Sequence, residues 1–235
     1  MVYLSQLQNN SNPLTIKRKK EYIQYNFGGL INEKLNNKDC AVLEIGAGLG
    51  EFIEYCNDRK VTQIDVIDND KSVLEHIKKL YSVKNIHLTD NLLHIENKLG
   101  QYDIVMMTQV LEHVPKKEHI SLLKILYERL KEKGVIIITV PNIGNPLAIF
   151  ERYYDYTHEI AFTENSLFQM VDMAELKKAQ TRLQAFKIPP FNFINLLRII
   201  PQFLLHKFFQ LMFVLNGGVY PRILTSNISL IIEKG

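Results

Sequence analysis

Residues 42–52 read Val-Leu-Glu-Ile-Gly-Ala-Gly-Leu-Gly-Glu-Phe, and this stretch decides the fold. Its apolar start is typical of the end of a buried parallel strand. The glycines that follow let the backbone turn sharply and approach a ligand closely before a helix begins near Leu49. A glycine-rich turn between a strand and a helix is where open α/β sheets bind nucleotide-like ligands. We therefore expect such a ligand at this turn.

The spacing of the glycines narrows the kind of ligand. Gly46, Gly48 and Gly50 follow the pattern Gly-x-Gly-x-Gly, whereas dinucleotide-binding turns have Gly-x-Gly-x-x-Gly. An NAD-dependent dehydrogenase is therefore disfavoured. One carboxylate, Glu44, stands two residues before the first glycine, inside the expected strand.

Composition points to one balanced α/β domain. The chain has 235 residues, 46% of them hydrophobic, which is enough for a large core. Its net charge is only +3, and the basic run 17–20 is interpreted as a solvated helix face, so we expect no nucleic-acid partner. Cys40 and Cys56 are too few for a disulfide framework. Because the polar N-terminus shows no signal peptide, they indicate reduced thiols in a cytoplasmic protein.

Apolar runs alternate with amphipathic segments along the chain, as in a parallel sheet with helices on both faces. We expect Gly134 to mark the end of the last helix before the long apolar run at 135–140. The predicted strands cover 40–45, 61–67, 85–88, 102–107, 135–140 and 227–233, and the predicted helices cover 13–36, 49–57, 70–81 and 116–131.

Acidic residues follow two of these strands. Asp68 ends the second apolar run, where a carboxylate can accept both ribose hydroxyls of a nucleoside, and Asp65 is the alternative. Asp90 follows the third strand. It can take an adenine amino group, cap a helix over 91–97, or do both.

Six segments in order resemble the class I S-adenosylmethionine (SAM) methyltransferases, in the methyltransferase domain 11-like group that includes the ubiquinone-type O-methyltransferases. The probability that all six segments agree by chance is very small. They are Leu-Glu-Ile-Gly-x-Gly-x-Gly at 43–50, Ile-Asp at 67–68, Tyr-Asp-Ile-Val at 102–105, Val-Leu-Glu-His-Val-Pro at 110–115, Leu-Lys-Glu-Lys-Gly-Val at 130–135 and Val-Pro-Asn at 140–142.

The resemblance implies a Rossmann-like, seven-stranded sheet, parallel except for its last strand, with SAM across the carboxyl ends of strands 1, 2 and 4. It implies that Glu44 and the glycine turn face the methionine part, Asp68 the ribose, and Asp90 with Asn91 the adenine. Gln109 would flank both cofactor and acceptor. The full expected cofactor set is Glu44, Gly46, Ala47, Gly48, Gly50, Asp68, Asn69, Asp90, Asn91, Leu92 and Gln109.

Two histidines and a tyrosine are the candidate catalytic residues. Methyl transfer is an in-line displacement that requires alignment of the two reactants, and a hydroxyl acceptor also benefits from a base. His113 lies just beyond strand 4, and its alternative role is packing or hydrogen bonding. His158 lies in a polar aromatic loop expected to close over the acceptor. In that loop Tyr154, with Tyr153 and Tyr156, could shape the pocket or approach the sulfonium; the alternative is simple packing.

We predict no metal ion. Some ubiquinone-type relatives bind a divalent cation through carboxylates and a histidine after strand 4. Glu112 and His113 match that pattern, but Gln109 stands where an acid is expected, and the loss of one carboxylate weakens a site for a hard cation.

The acceptor is expected to be small. The chain has no Asn-Pro-Pro-Tyr motif after strand 4 and no Pro-Cys dipeptide, which disfavours nucleic-acid bases. Residues 141–163 resemble methyltransferases associated with surface-polysaccharide genes, which implies O-methylation of a carbohydrate-like or capsule precursor. The alternatives are N-methylation of a small amine or amide, and a non-catalytic SAM-binding subunit.

We treat residues 1–235 as one domain with a hydrophobic insert. Its expected parts are an N-terminal helical segment (1–37), the SAM-binding core (38–142), an acceptor-site loop, helix and strand (143–188), the insert (189–221) and the last strand (222–235). Pro201 and scattered charges disfavour a bilayer span in the insert. An amphipathic helix pair there is expected to cap the acceptor pocket, form a homodimer face or lie on a membrane surface, in that order.

Overall fold

A seven-stranded sheet forms the centre of the molecule. The computed structural model describes residues 13–176 and 179–235. Across the sheet the strands follow the order 3-2-1-4-5-7-6, all parallel except the seventh, which is antiparallel to both its neighbours. This confirms the predicted fold and places the last strand between the fifth and sixth. The strands are β1 (Val42–Ile45), β2 (Ile64–Asp68), β3 (Asn85–Leu88), β4 (Tyr102–Thr108), β5 (Leu130–Pro141), β6 (Ala179–Ala185) and β7 (Asn227–Lys234).

Helices cover both faces of the sheet. They are α1 (Pro13–Leu35), α2 (Glu51–Asn57), α3 (Lys71–Leu80), α4 (His119–Glu128), α5 (Ile149–Tyr154), α6 (Glu164–Ala174), α7 (Phe193–Leu197) and α8 (Ile199–Leu215), with 3-10 turns at Leu92–Lys98, Leu111–His113, Lys116–Glu118 and Pro146–Ala148. Among the helices described, none combines the length and the apolar character needed to cross a membrane. The polar residues 1–12, which entered the expectation of a cytoplasmic protein, lie outside the described residues.

The central strands are buried because their alternate side chains enter two separate cores. On one face, Leu43 of β1 and Val105 of β4 pack with side chains that include those of α4 and α6. On the other face, Val42 and Ile104 pack with α1, α2 and α3. Side chains alternate between the faces of a strand, so a strand covered on both sides reads as a continuous apolar run. That burial explains why β1, β2 and β4 were recognisable in the sequence.

The start of β5 differs from the prediction. The helix expected over 116–131 ends at Glu128, β5 begins at Leu130, and Gly134 therefore lies within a strand and does not end a helix. Leu130 pairs with Tyr102 across an irregular register, and the Tyr102 amide donates to the carbonyl of Arg129 at 2.8 Å. Pairing with β4 thus overrides the local helical preference of this polar stretch.

The turn between β1 and α2 depends on Gly50. This residue has φ +86°, and a Cβ atom there would lie 2.3 Å from a ring carbon of Tyr81. The Tyr81 hydroxyl donates to the carbonyl of Leu49 at 2.9 Å, which closes the turn against the end of α3. A side chain at this position would therefore meet both backbone strain and a steric clash.

We expect Gly50→Ala to lower the free energy of unfolding by roughly 1–3 kcal/mol, the usual cost of inserting volume into a packed site. Urea unfolding followed by circular dichroism measures this change. The matched control is Gly29→Ala, at an exposed position of α1 with open space around it, which should stabilise the protein by about 0.5–1 kcal/mol. Equal stabilities for the two variants would contradict the close packing of the turn.

Candidate active site

A cavity of about 500 Å³ opens at the carboxyl edge of the sheet. Its wall comes from the ends of β1, β2, β3 and β4 and from the loop after α5, because parallel strands bring their carboxyl ends to one edge. The lining residues are Ile45, Gly46, Ile67, Asp68, Asn69, Asp70, Thr89, Asp90, Leu92, Gln109, Val110, His113, Val114, Pro115, Glu118, Asp155 and Thr157.

Backbone rather than side chain forms the cavity wall at the end of β1. Gly46 has φ +76°, and its amide donates to the carbonyl of Ile67 at 2.8 Å. A Cβ atom on Gly46 would lie 2.2 Å from Cγ2 of Val110. The close passage between these two residues leaves room only for glycine.

Asp68 lies at the junction of the glycine turn and β2. The residue is only 6% exposed, and its carboxylate accepts hydrogen bonds from the amides of Ala47 at 3.1 Å and Asp70 at 2.9 Å. Burial raises the pKa of Asp68, and these donors partly offset that effect. Asp65 is absent from the cavity lining and accepts hydrogen bonds from Asn85 at 2.8 Å and from the Tyr102 hydroxyl at 2.7 Å. Of the two alternatives, only Asp68 lines the cavity.

At the end of β3, helix capping and cavity lining are carried out by two different residues. Asn91, and not Asp90, caps the following 3-10 turn, because its side chain accepts from the amide of Leu93 at 2.8 Å. The capping alternative for Asp90 is therefore wrong. Asp90 is exposed and lines the cavity beside Leu92.

Glu44 is a buried acid behind the glycine turn. Its Oε2 atom has no hydrogen-bond partner among the described residues. Burial, followed by the nearby carboxylates of Glu51 and Asp68, raises the pKa of Glu44 well above its ordinary value. A buried carboxyl oxygen without a donor is costly unless a ligand or water supplies one.

A second group of side chains lies at the end of β4. Glu112, His113 and His158 each offer one ligand atom, and these atoms lie within 4.8 Å of one another. Glu112 is 1% exposed, and neither carboxyl oxygen has a partner in the described part of the chain. Burial, only partly offset by its own backbone amide, raises the pKa of Glu112 to about 8, with Asp155 and Glu151 adding to the rise.

Hydrogen bonds fix which nitrogen of each histidine is free. His158 Nδ1 lies 3.0 Å from the carbonyl of Glu151, which can only accept. His113 Nδ1 lies 2.8 Å from the hydroxyl of Thr157, whose own proton goes to Asp155 at 2.7 Å. Both Nδ1 atoms are thus donors, and both Nε2 atoms keep a lone pair for a proton or a cation. Burial lowers the pKa of His113, which favours its neutral form.

Backbone contacts bring the distant halves of this group together. The amide of Glu159 donates to the carbonyl of Glu112 at 2.8 Å, and the two histidine rings have centroids 4.6 Å apart. The loop is anchored further by Asn142, fully buried at the end of β5, which donates to the carbonyls of Ile223 at 2.9 Å and Thr225 at 3.0 Å. The loop after β5 is therefore held against the end of β4.

The structure brings only part of the predicted set into the cavity wall. Ala47, Gly48, Gly50 and Asn91 belong to the surrounding turns, and Glu44 and His158 are not among the lining residues. Tyr154 is 77% exposed and absent from the lining, and Tyr153 and Tyr156 also face solvent. The predicted residues that line the cavity are Gly46, Asp68, Asn69, Asp90, Leu92, Gln109 and His113.

Two residues without a predicted role, Asp155 and Thr157, line the cavity and orient His113. An Asp two residues before a Thr is a common pattern for a local turn, and the Thr157 amide does donate to Asp155 at 2.8 Å. This Asp-x-Thr pattern is the sequence signal that could have identified the turn beside His113.

Three solved structures with a similar fold are methyltransferases. A SAM-dependent methyltransferase from Archaeoglobus fulgidus is 18% identical and superposes with a TM-score of 0.62, covering 92% of this chain and 94% of its own. The plantazolicin methyltransferase BpumL, in complex with a triazolic desmethylPZN analog and SAH, is 17% identical with a TM-score of 0.61 over 98% and 89% of the two chains. The methyltransferase domain of bacterial CtHen1-CN is 18% identical with a TM-score of 0.54 over 90% and 99%. At this identity the likeness concerns the fold.

Sequence comparison adds a relative and a family. An uncharacterised protein of Methanocaldococcus jannaschii is 30% identical over 113 residues, which are 48% of this chain and 46% of that protein. The chain thus spans about half the length of this curated relative. The model of the methyltransferase domain matches residues 18–183, from α1 to β6. The chain therefore belongs to the methyltransferase domain family.

Proposed function

We propose that this protein is a SAM-dependent methyltransferase of the cytoplasm that methylates an oxygen of a small, carbohydrate-like acceptor, such as a capsule or surface-polysaccharide precursor. The observation that carries the proposal is the buried Asp68 carboxylate, held in the cavity wall by the amide of Ala47 in the glycine turn. A fixed acceptor of hydrogen bonds beside a bare backbone is what a nucleoside ligand requires.

The residues around the donor half of the cavity fit SAM. Asp68 would accept the ribose hydroxyls, Asp90 would accept the adenine amino group, and the cavity wall at Gly46 would face the sulfur-bearing chain. The unpartnered Oε2 of Glu44 suits the ammonium of the methionine part, because a cation would stabilise that buried carboxylate. SAM, when bound, supplies an electrophilic methyl group.

The acceptor half favours transfer to a hydroxyl. The free Nε2 atoms of His113 and His158 can take the proton that an alcohol must lose, whereas an amine acceptor needs no strong base. Val110 and Val114 add apolar wall that excludes water from this side of the cavity. N-methylation of a small amine or amide is the second candidate. A non-catalytic SAM-binding subunit has less support, since the chain has both Asp68 at the cavity and the histidine pair beside it.

Asp68→Asn is expected to weaken binding of SAM and of its demethylated product roughly 10–100-fold, because the loss of a charged hydrogen-bond acceptor costs about 1.5–3 kcal/mol. Calorimetric titration measures both affinities. Asp65→Asn is the matched control. It should keep the affinity and lower only the stability, since Asp65 is bonded inside the sheet. The reverse result would make Asp65 the ribose ligand, and tight binding of NAD in place of SAM would refute the proposal.

His158→Ala should lower turnover by roughly 10²–10⁴-fold, the usual contribution of a general base, with SAM affinity little changed. The readout is mass-spectrometric detection of methyl gain on an acceptor found by screening sugar and polysaccharide precursors. His94→Ala, an exposed histidine outside the cavity lining, is the control and should leave turnover intact. Normal turnover of His158→Ala would remove this residue from the mechanism.

A divalent cation is a second candidate occupant near the acceptor, contrary to the expectation of no metal. That expectation rested on Gln109, which replaces one expected acid. The structure brings His158 to Glu112 and His113, so one carboxylate and two imidazole nitrogens converge at one point. They fit a cation because the Glu112 oxygens have no other partner in the described residues. A cation held there would act as a Lewis acid on the acceptor oxygen.

Thermal unfolding tests whether Glu112, His113 and His158 bind a cation or have only a structural role. In the presence of a chelator, the folded protein keeps Glu112 protonated up to a pH of about 8, whereas the unfolded chain loses this proton near the ordinary pKa of 4.5. The free energy of unfolding therefore falls as the pH rises from 4.5 to about 8. Glu112→Gln should therefore stabilise the protein at pH above 8 by roughly 1–3 kcal/mol. Mn²⁺ or Mg²⁺ should raise the unfolding temperature of the native protein and not that of the variant. Equal responses of both proteins would exclude this cation site.

A further inference from the structure

Two helices between β6 and β7 carry apolar side chains that the rest of the described chain leaves uncovered. We name residues 193–215, which comprise α7 and α8, the apolar arm. Neither helix has a buried residue, and the large apolar side chains from Phe193 to Leu215 that face away from the body are between 40% and 75% exposed. An uncovered apolar surface of this kind marks an interaction site.

The exposed apolar surface extends around most of α8. At about 100° per residue, the exposed positions from Ile199 to Leu205 and onward to Leu215 span about 240° of the circumference. The remaining side carries the partly exposed Gln202, His206 and Phe213, and Phe213 lines a groove with Phe168 of α6. A helix packed on a second copy of the chain buries a stripe of roughly 100° and would leave the rest in water. A lipid interface can cover a wider apolar sector than the stripe that a single helix contact buries.

The charge of the apolar arm is one-sided. It contains two basic residues, Arg198 and Lys207, and no Asp or Glu, although the whole chain is nearly balanced at +3. Arg198 lies between α7 and α8, and Lys207 lies within the exposed apolar sector, with Nζ 5.7 Å from the ring centroid of Phe203. Basic residues next to an apolar helix are attracted to anionic lipid headgroups.

The apolar arm also does not close the cavity. The residues that line it come from β1 to β4, the turns after them and the loop after α5, and none of those described belongs to 189–221. The cap and the dimer face, expected before a membrane contact, therefore have less support in the structure than the membrane surface has.

We propose that the apolar arm inserts into the surface of an anionic membrane, with its apolar side chains among the acyl chains and its basic residues at the headgroups. The helices lie in the interface and hold the methyltransferase domain on one leaflet. This attachment does not depend on the chemistry of the cavity, so either proposal can fail while the other stands.

Vesicle co-sedimentation of the full chain tests this attachment. The native protein should pellet with vesicles of phosphatidylcholine and phosphatidylglycerol in equal parts, more weakly with phosphatidylcholine alone, and less in high salt. Combined Phe203→Ser, Phe208→Ser and Leu211→Ser should weaken vesicle binding at least roughly tenfold, because the inserted apolar area is lost. Met173→Ser, at an exposed apolar residue of α6, is the matched control and should bind as the native protein does.

Lys207→Glu provides a second variant that leaves the apolar surface intact. It should reduce binding to the anionic vesicles and leave binding to phosphatidylcholine nearly unchanged. Thermal unfolding shows whether each variant is folded. The proposal is overturned if the native protein ignores both kinds of vesicle, or if the serine variant binds as tightly as the native protein. A concentration-dependent dimer in sedimentation velocity, lost in the serine variant and accompanied by no vesicle binding, would assign the apolar arm to a second copy.

Discussion

The hydrogen bond from the Ala47 amide to the Asp68 carboxylate joins the glycine turn to the end of β2, and the cavity depends on it. Together with the bond from Gly46 to the Ile67 carbonyl, it fixes the path of the chain between β1 and α2. The turn is consequently shaped before any ligand arrives. A preformed backbone surface reduces the ordering that binding would otherwise require.

Two buried acids lower the stability of this fold. Glu44 and Glu112 both keep carboxyl oxygens without partners among the described residues, and burial raises the pKa of each. Either could be replaced by an amide at a gain in stability, so their presence is better explained by ligands than by folding. Glu44 lies in β1 and Glu112 lies in the 3-10 turn that follows β4, on either side of the point where donor and acceptor would meet.

Much of the fold and several residues of the cavity wall were predictable because the signals are local. β1, β2 and β4 are buried on both faces and read as apolar runs, and Asp68 is the last residue of its strand. The start of β5 was not predictable, because pairing with Tyr102 decides it. The contact between Glu112 and His158 depends on the fold of the intervening loop, and the outward direction of Tyr154 depends on how α5 sits. No sequence period reports such long-range geometry.

The position of β1 in the middle of the cavity edge has an evolutionary consequence. Residues suited to a nucleoside lie on the β2 and β3 side, and the histidine pair with its loop lies on the β4 and β5 side. In the proposed enzyme, substitutions in the loop after β5 would therefore change which acceptor binds without disturbing the hydrogen bond between the Ala47 amide and Asp68. A lineage built on this arrangement can diversify its acceptors one loop at a time while the donor half is inherited intact.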